Sequence, residues 1–228
     1  MHVARPGRLS EVPYHPVVDL IHRVIGPAAT NLYVLADPRS REAIAIDTAI
    51  PSVAWLTELL AGRGWTLKLI VSTHGHWDHI GDNAAVAAHT GAPIAAHPAD
   101  RAMLEHPEPL FAPFPIPPSV PAVELAEGGR IVFGSIVLDV LHTPGHTPGS
   151  VCLTLRDEAA LFSGDTLFAG GPGRVDLAGG DPGAMVGSLA RLAGLDPTLR
   201  VLPGHGKATT IERELPWIGA VVRAGSLW

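Results

Sequence analysis

Cysteine is nearly absent from this chain: one, Cys152, stands among 228 residues. A disulfide within the chain is therefore excluded, and a reducing, cytoplasmic setting is the expectation. Long apolar runs are missing as well. No stretch approaches the roughly 20 residues of a membrane-spanning helix, so no membrane partner is expected. The opening MHVARPGRLSEVPYHP has neither the apolar core nor the small-residue cleavage site of a secretion signal. Basic residues are the minority, 16 Lys and Arg against 22 Asp and Glu, for a formal net charge of −6. That balance argues against a nucleic-acid partner, because phosphates call for a basic face. No Gly-x-Ser-x-Gly turn occurs, so a serine nucleophile on a strand-to-helix elbow is not the chemistry. There is no short repeat and no low-complexity linker beyond one Pro-rich segment, 106–121 (HPEPLFAPFPIPPSVP). What is present is an apolar content of 46%, ample for a packed core at this length. One domain over residues 1–228 is the simplest reading. The expected partner is a small molecule, and self-association into a homo-oligomer is left open.

Against this background stands His74-Gly75-His76-Trp77-Asp78-His79. Three imidazoles and a carboxylate share one short loop. The preceding Thr66–Thr73 is rich in β-branched and apolar residues and reads as a buried strand. The following Ile80–His89 is Ala-rich and reads as a helix. The cluster thus sits on a strand-to-helix turn, where α/β proteins gather functional groups. Neutral imidazole and carboxylate are donors that zinc, iron and manganese accept. Buried without a partner, four such groups would go unsatisfied.

Strands and helices alternate along the rest of the chain. Strands are expected at 17–25, 31–36 and 42–47, the last two joined by the turn Asp37-Pro38-Arg39-Ser40. Residues 52–63 read as an amphipathic helix with Val53, Leu56, Leu59 and Leu60 on one face, and Pro51 suits its start. A short strand is expected at 93–96 and a helix near 99–104. The Pro-rich segment cannot be helix or sheet interior. Further strands fall near 123–125, 130–133, 136–141, 150–155, 159–163 and 199–202, with helices at 181–195 and 210–222.

Three more candidate ligands follow apolar strands. His146 lies in HTPGHTPGS, Asp165 in Ser163-Gly164-Asp165-Thr166, and His205 in Pro203-Gly204-His205-Gly206. Each is flanked by Gly or Pro. Glycine allows a tight turn that points the side chain along the strand axis into a cleft.

The set His-x-His-x-Asp-His with His146, Asp165 and His205 resembles the metallo-β-lactamase fold superfamily. HTPGHTPGS, FSGDTLF, Gly173-Arg174-Val175-Asp176 and PGHGKATTIERE make the chain look most like its short, glyoxalase II-like hydrolases. The resemblance covers nearly the whole chain. It implies an α/β fold, a four-layer αββα sandwich with a dinuclear metal site on one edge. It places His74, His76 and His146 on one metal and Asp78, His79 and His205 on the other, with Asp165 bridging. Two transition-metal ions are implied, zinc first, with iron or manganese suited to the same donors. The implied chemistry is a metal-bridging hydroxide attacking a carbonyl, Asp78 receiving the proton, on an acyl thioester. Arg174 is the candidate to hold a substrate carboxylate; a structural salt bridge with Asp176 or Asp181 is the competing role. Full glyoxalase II enzymes carry a C-terminal helical domain that supplies cations for glutathione. The chain ends at Trp228, so weak binding of glutathione is the expectation.

Plainer roles compete at several positions. His2, His15, His22, His89, His97 and His106 are expected to be ordinary surface or core histidines. Asp165 alone could be a turn or cap residue. His142 is expected in the core or behind the ligands, Trp77 in packing, and Cys152 inside a strand as a small hydrophobe. The Pro-rich loop, with Leu110, Phe111, Phe114 and Ile116, is either an apolar wall over the metals or a surface crossover. Other activities compete too: a mononuclear-iron persulfide dioxygenase, a lactonase, or a non-catalytic metal-binding module. Asp165 stands where a Cys-bearing β-lactamase would have Cys, and His76 where a diiron flavoprotein would have Glu. Charge and the lack of an added domain disfavour a nuclease.

Overall fold

The computed structural model describes residues 18–108, 112–155 and 158–227. His2, His15, Val17, Leu110 and Phe111 lie outside them. The first sheet takes β1 (Asp19–Ile25), β2 (Thr30–Asp37), β3 (Glu42–Ile46), β4 (Thr66–Val71), β5 (Ile94–Ala96) and β6 (Val123–Glu124), side by side in chain order. Its first three strands are antiparallel and its last four parallel. Then follow β7 (Arg130–Phe133), β8 (Ile136–His142), β9 (Val151–Leu155), β10 (Ala160–Gly164), the small pair β11 (Leu167–Phe168) and β12 (Gly171–Pro172), β13 (Arg200–Pro203) and β14 (Thr209–Thr210). The second sheet runs β14-β13-β10-β9-β8-β7, and only β10 and β13 are parallel. The helices are α1 (Val53–Arg63), α2 (Trp77–Ile80), α3 (Asn83–Thr90), α4 (Arg101–Glu105), α5 (Pro182–Ala193) and α6 (Ile211–Ala224).

Strand alternation builds the layers. Leu35, Ile44 and Ile46 point between the sheets, where they meet Leu138, Leu153 and Phe162. Their neighbours Val34 and Ala45 point the other way, onto Leu56 and Leu60 of α1 and Val86 of α3. In the second sheet Phe162 points inward, while Leu161 and Val201 pack with Met185 and Leu189 of α5 and Ile218 of α6. Strands covered on both faces need apolar side chains at consecutive positions, which is why they read as near-continuous apolar runs. The result is the expected αββα sandwich.

The helix expected from Ile80 starts at Asn83, and the turn expected to carry the cluster holds a short helix of its own; Gly81 and Asp82 separate α2 from α3. A Cβ at Gly81 would lie 2.6 Å from Ile50 Cγ2, so the backbone passes too close for any side chain. Asp82 spends its carboxylate on another element: the N–H groups of Ser52 and Val53 donate to it at the start of α1. That satisfies donors the helix itself leaves free.

The ligand loops leave the carboxyl ends of β4, β8, β10 and β13, all at one edge where the sheets meet. Backbone bonds stitch that edge: Val151 N donates to Thr73 O (2.8 Å), Gly204 N to Gly164 O (2.8 Å), and Asn31 N to Gly204 O (2.7 Å). Asn31 Nδ2 and the Tyr33 hydroxyl both donate to Pro203 O. Burial of that hydroxyl pushes the Tyr33 pKa up, and the Asp47 carboxylate adds to the shift.

Candidate metal centre

All seven residues expected as ligands converge on this edge. Three tight groups form, His74 with His76 and His146, Asp78 with His79 and His205, and His74 with His79 and Asp165. Within each, one donor atom per residue lies within 4.8 Å of the others. His76 Nδ1 is 2.8 Å from His146 Nε2, and His79 Nε2 is 3.2 Å from His205 Nε2. Asp165 sits between the sets: its Oδ2 is 3.5 Å from both His146 Nε2 and His205 Nε2. Asp78 Oδ2 is 3.1 Å from His205 Nε2 and accepts from the Thr30 hydroxyl at 3.3 Å.

The outer hydrogen bonds fix which ring nitrogens face inward. His146 Nδ1 lies 2.7 Å from the carbonyl oxygen of Arg174, which can only accept, so Nδ1 carries the proton and Nε2 a lone pair. His79 Nδ1 likewise donates to Asp47 Oδ2 at 2.9 Å. The Thr73 hydroxyl donates to the same Asp47 oxygen at 2.8 Å. It therefore accepts from His74 Nδ1, 3.1 Å away. Asp47 thus sets the tautomers of two histidines and presents both Nε2 atoms to the centre. Partners of this kind orient metal-binding imidazoles and raise their basicity.

Electrostatics agree with this donor set. Burial and the crowd of neighbouring imidazoles hold His74 well below the usual imidazole range, and the same causes bring His76 down to about 4. Both are neutral near pH 7, the form a metal takes. Burial opposes charge on His79, but the carboxylates of Asp165, Asp78 and Asp47 outweigh it and raise its pKa well above normal. Burial also works against the carboxylates; His79 and His205 override it at Asp78, and His79, His146 and His205 at Asp165, so both stay low. The negative charge gathered around His79 Nε2 favours a cation there. His74 Nε2 and Asp165 Oδ1 are buried with no hydrogen bond. Orphaned buried donors and acceptors are costly, and a metal ion between them removes the cost. The residues fit divalent metal ions.

The ligand loops have no slack. A Cβ at Gly204 would collide with Asp165 Oδ1 and His79 Cε1, and one at Gly164, already at φ +48°, would lie 2.5 Å from Thr73 Oγ1. Asp100, fully buried at the end of the 3-10 turn Pro98–Asp100, ties two loops together. It accepts from Gly75 N (2.9 Å), from the Thr147 hydroxyl (2.6 Å) and from Gly149 N (2.6 Å). Asp47 and Asp100 are functional residues the sequence reading missed. Asp47 directly follows an apolar strand as the ligands do, a signal that was available; Asp100 gives none.

A cleft of about 530 Å³ opens over the centre, walled by Pro27, Ala28, Trp77, Phe168 and Leu177, with Arg174 at its rim. The Arg174 guanidinium forms a bidentate pair with Asp176, at 2.7 and 2.8 Å. The structure therefore shows the salt-bridge role, on a residue that lines the cleft. Trp77 both packs, edge-on to Phe114 at 6.2 Å, and walls the cleft. Phe114 and Ile116 of the Pro-rich loop turn into the helical layer, as a crossover would. His142 is neither core nor behind the ligands. It stacks on His97 with ring centroids 4.0 Å apart, at the end of β8. His22 packs on Tyr33 and hydrogen-bonds Asn31. Cys152 is fully buried, as expected.

A four-layer sandwich with a histidine-rich centre on one edge defines a metal-dependent, hydrolase-like protein. The family model described as "Metallo-beta-lactamase superfamily" matches residues 25–205, and the chain belongs to that family. An uncharacterized protein of Mycobacterium tuberculosis is 38% identical over 206 residues, covering 83% of this chain and 91% of that one. A hydroxyacylglutathione hydrolase of Methylococcus capsulatus is 36% identical over 176 residues, 76% of this chain and 61% of that enzyme. Among solved structures, the BLEG-1 B3 metallo-beta-lactamase superposes with TM-score 0.81 at 34% identity, covering 87% of this chain and 97% of that one. TTHA1623 in a di-iron-bound form gives 0.77 at 36%, covering 85% and 96%. ETHE1 from Myxococcus xanthus gives 0.78 at 26%, covering 92% and 88%. The fold binds divalent metals. Its neighbours differ in activity, and the di-iron form leaves the metal's identity open.

Proposed function

We propose that the chain is a two-metal hydrolase of acyl thioesters. One observation carries the reading: imidazole nitrogens and carboxylate oxygens converge as two sets of three around Asp165. In this reading His74, His76 and His146 hold one ion, Asp78, His79 and His205 the other, and Asp165 lies between. Zinc is the first choice, and iron or manganese suits the same donors. Bound there, the ions supply Lewis acidity and bring the acidity of water toward neutral pH. The protein's own groups do the rest. Asp78 lines the cleft as an ionised carboxylate, placed to receive the proton of the attacking water. Asp47 and the Arg174 carbonyl keep the imidazoles in one tautomer throughout. Arg174 meets a remote substrate carboxylate by exchanging it for Asp176, a bidentate partner of the same chemistry. A thiolate leaves readily, so the reacting centre needs no further acid.

The deciding experiment reconstitutes metal-free protein with zinc, iron or manganese, counts bound metal, and assays S-lactoylglutathione beside a lactone and a persulfide. About two ions per chain and metal-dependent thioester cleavage are expected. A single tightly held iron with persulfide-dependent oxygen uptake, or lactone opening without thioesterase activity, overturns the proposal.

A further inference from the structure

Beside the cleft lies a second cavity, outside the metal centre. It has a volume of about 380 Å³ and opens to solvent along the 3-10 turn and α4. Ala99, Ala102 and Met103 line it from the turn and α4, and Leu177 and Ala178 from the loop after Arg174. His76, Trp77 and Leu177 border both cavities, so the groove adjoins the cleft beside the ligand His76. Its floor is the ligand loop itself: a Cβ at Gly75 would lie 2.6 Å from Met103 Cβ.

The lining has a definite chemistry. Its long wall is alanine and leucine, with a methionine that can adapt its shape to what lies against it. Among the described residues no lysine or arginine lines it; apart from the shared His76, the ionisable groups there are His106 and Glu108. A carboxylate there repels an anionic tail. An exposed apolar trough beside a reactive centre marks a place where ligand is buried.

We propose that this groove takes an unbranched, uncharged apolar chain carried by the substrate. The inference rests on the thioester reading and narrows it: the preferred substrates are thioesters with an aliphatic arm, not compact hydrophilic ones. The arm can belong to the acyl group or to the thiol, and the two are separable.

The test uses two series on the metal-loaded protein. One varies the acyl group of N-acetylcysteamine thioesters from acetyl to octanoyl. The other varies the thiol of acetyl thioesters from ethanethiol to octanethiol. Each methylene buried should raise kcat/KM roughly four-fold until the groove is full. A rise with acyl length places the arm on the acyl side, and a rise with thiol length on the leaving side. Ala102→Trp, on an exposed position of α4, should flatten the rising series; Ala178→Trp, in the loop after Arg174, serves as a second block. Flat series on a protein that does cleave acetyl thioesters, or a rise that survives both blocks, overturns the groove. If no thioester is cleaved, the thioester reading fails by itself. Calorimetric titration of octanamide then judges the groove: binding lost in both variants sustains it, and no binding to the parent protein removes it.

Discussion

Asp100 makes the sharpest demand on this architecture. Consider Asp100→Asn, which changes one oxygen to an NH2 and little else. All three partners of the native carboxylate are donors, with Gly75 N and the Thr147 hydroxyl on Oδ2 and Gly149 N on Oδ1. An amide has one acceptor, so its NH2 must face a donor. Keeping the oxygen at Oδ2 orphans the buried Gly149 N–H, a loss of about 1–3 kcal/mol. The bonds that survive become neutral and lose about 1 kcal/mol more. Against this, burial pushes the native Asp100 pKa up despite its three donors. Removing that charge returns part of the loss, so the net should be about 1–3 kcal/mol. The loss lands on the loops that carry His74, His76 and His146. Metal affinity should therefore fall by about 10–100-fold, as it does when other partners behind a ligand are removed. Urea unfolding followed by circular dichroism reads the first quantity, and competition with a chromophoric chelator the second. A change under about 0.5 kcal/mol together with unaltered chelator competition would refute the claim that Asp100 holds the two loops in register.

Four further expectations follow from the same geometry. Asp165→Asn should keep the fold but lose metal content and turnover, because two cations then share less negative charge; full metal and full rate would return Asp165 to a turn residue. Asp47→Asn frees the tautomers of His74 and His79, and about a 10–100-fold weaker hold on metal is expected by equilibrium dialysis. Arg174→Ala should raise KM more than it lowers kcat in steady-state thioester kinetics, since the guanidinium meets a remote group and not the reacting carbonyl; a loss confined to kcat would contradict this. Burial pushes the Cys152 thiol up to about 11, above its unfolded value of about 8.5. Its stabilising contribution is intact below about pH 8.5 and is lost as pH rises through about 11. Between pH 8 and 11 the parent should lose about 2–3 kcal/mol more than Cys152→Ala, and equal losses in denaturant melts would show the thiol does not titrate this way.

What was legible in the sequence followed from how locally each feature is encoded. The sandwich could be read because doubly covered strands must be apolar at successive positions, as in Leu32–Ala36 and Ala43–Ile46. The first ligands share six residues, and His146, Asp165 and His205 each end such a strand beside Gly or Pro. Asp47 directly follows β3, but no glycine marks the turn; the aspartate itself adopts φ +59° and so read as the strand's last residue. Asp100 is 25 and 47 residues from Gly75 and Thr147. An aspartate at a helix start signals a cap and nothing about distant loops. The α2–α3 break was hidden for a similar reason, since contact with Ile50 and the capping of α1 are tertiary facts. The pair β11–β12, which carries Phe168 to the cleft, is two residues a side and has no periodicity to detect.

The glycines beneath the centre constrain what evolution can do with it. Added side chains at Gly164, Gly173 and Gly204 would strike Thr73, the Asp165 backbone and the Asp165 carboxylate. No single change to a larger residue there yields an intermediate that keeps both ligands and loops in place, so the floor is closed to gradual retuning. The rim is different. Arg174, Ala99, Ala102 and Ala178 are exposed and can vary one at a time. A lineage built on this floor would diversify its substrates by redrawing its walls while inheriting its metal chemistry unchanged.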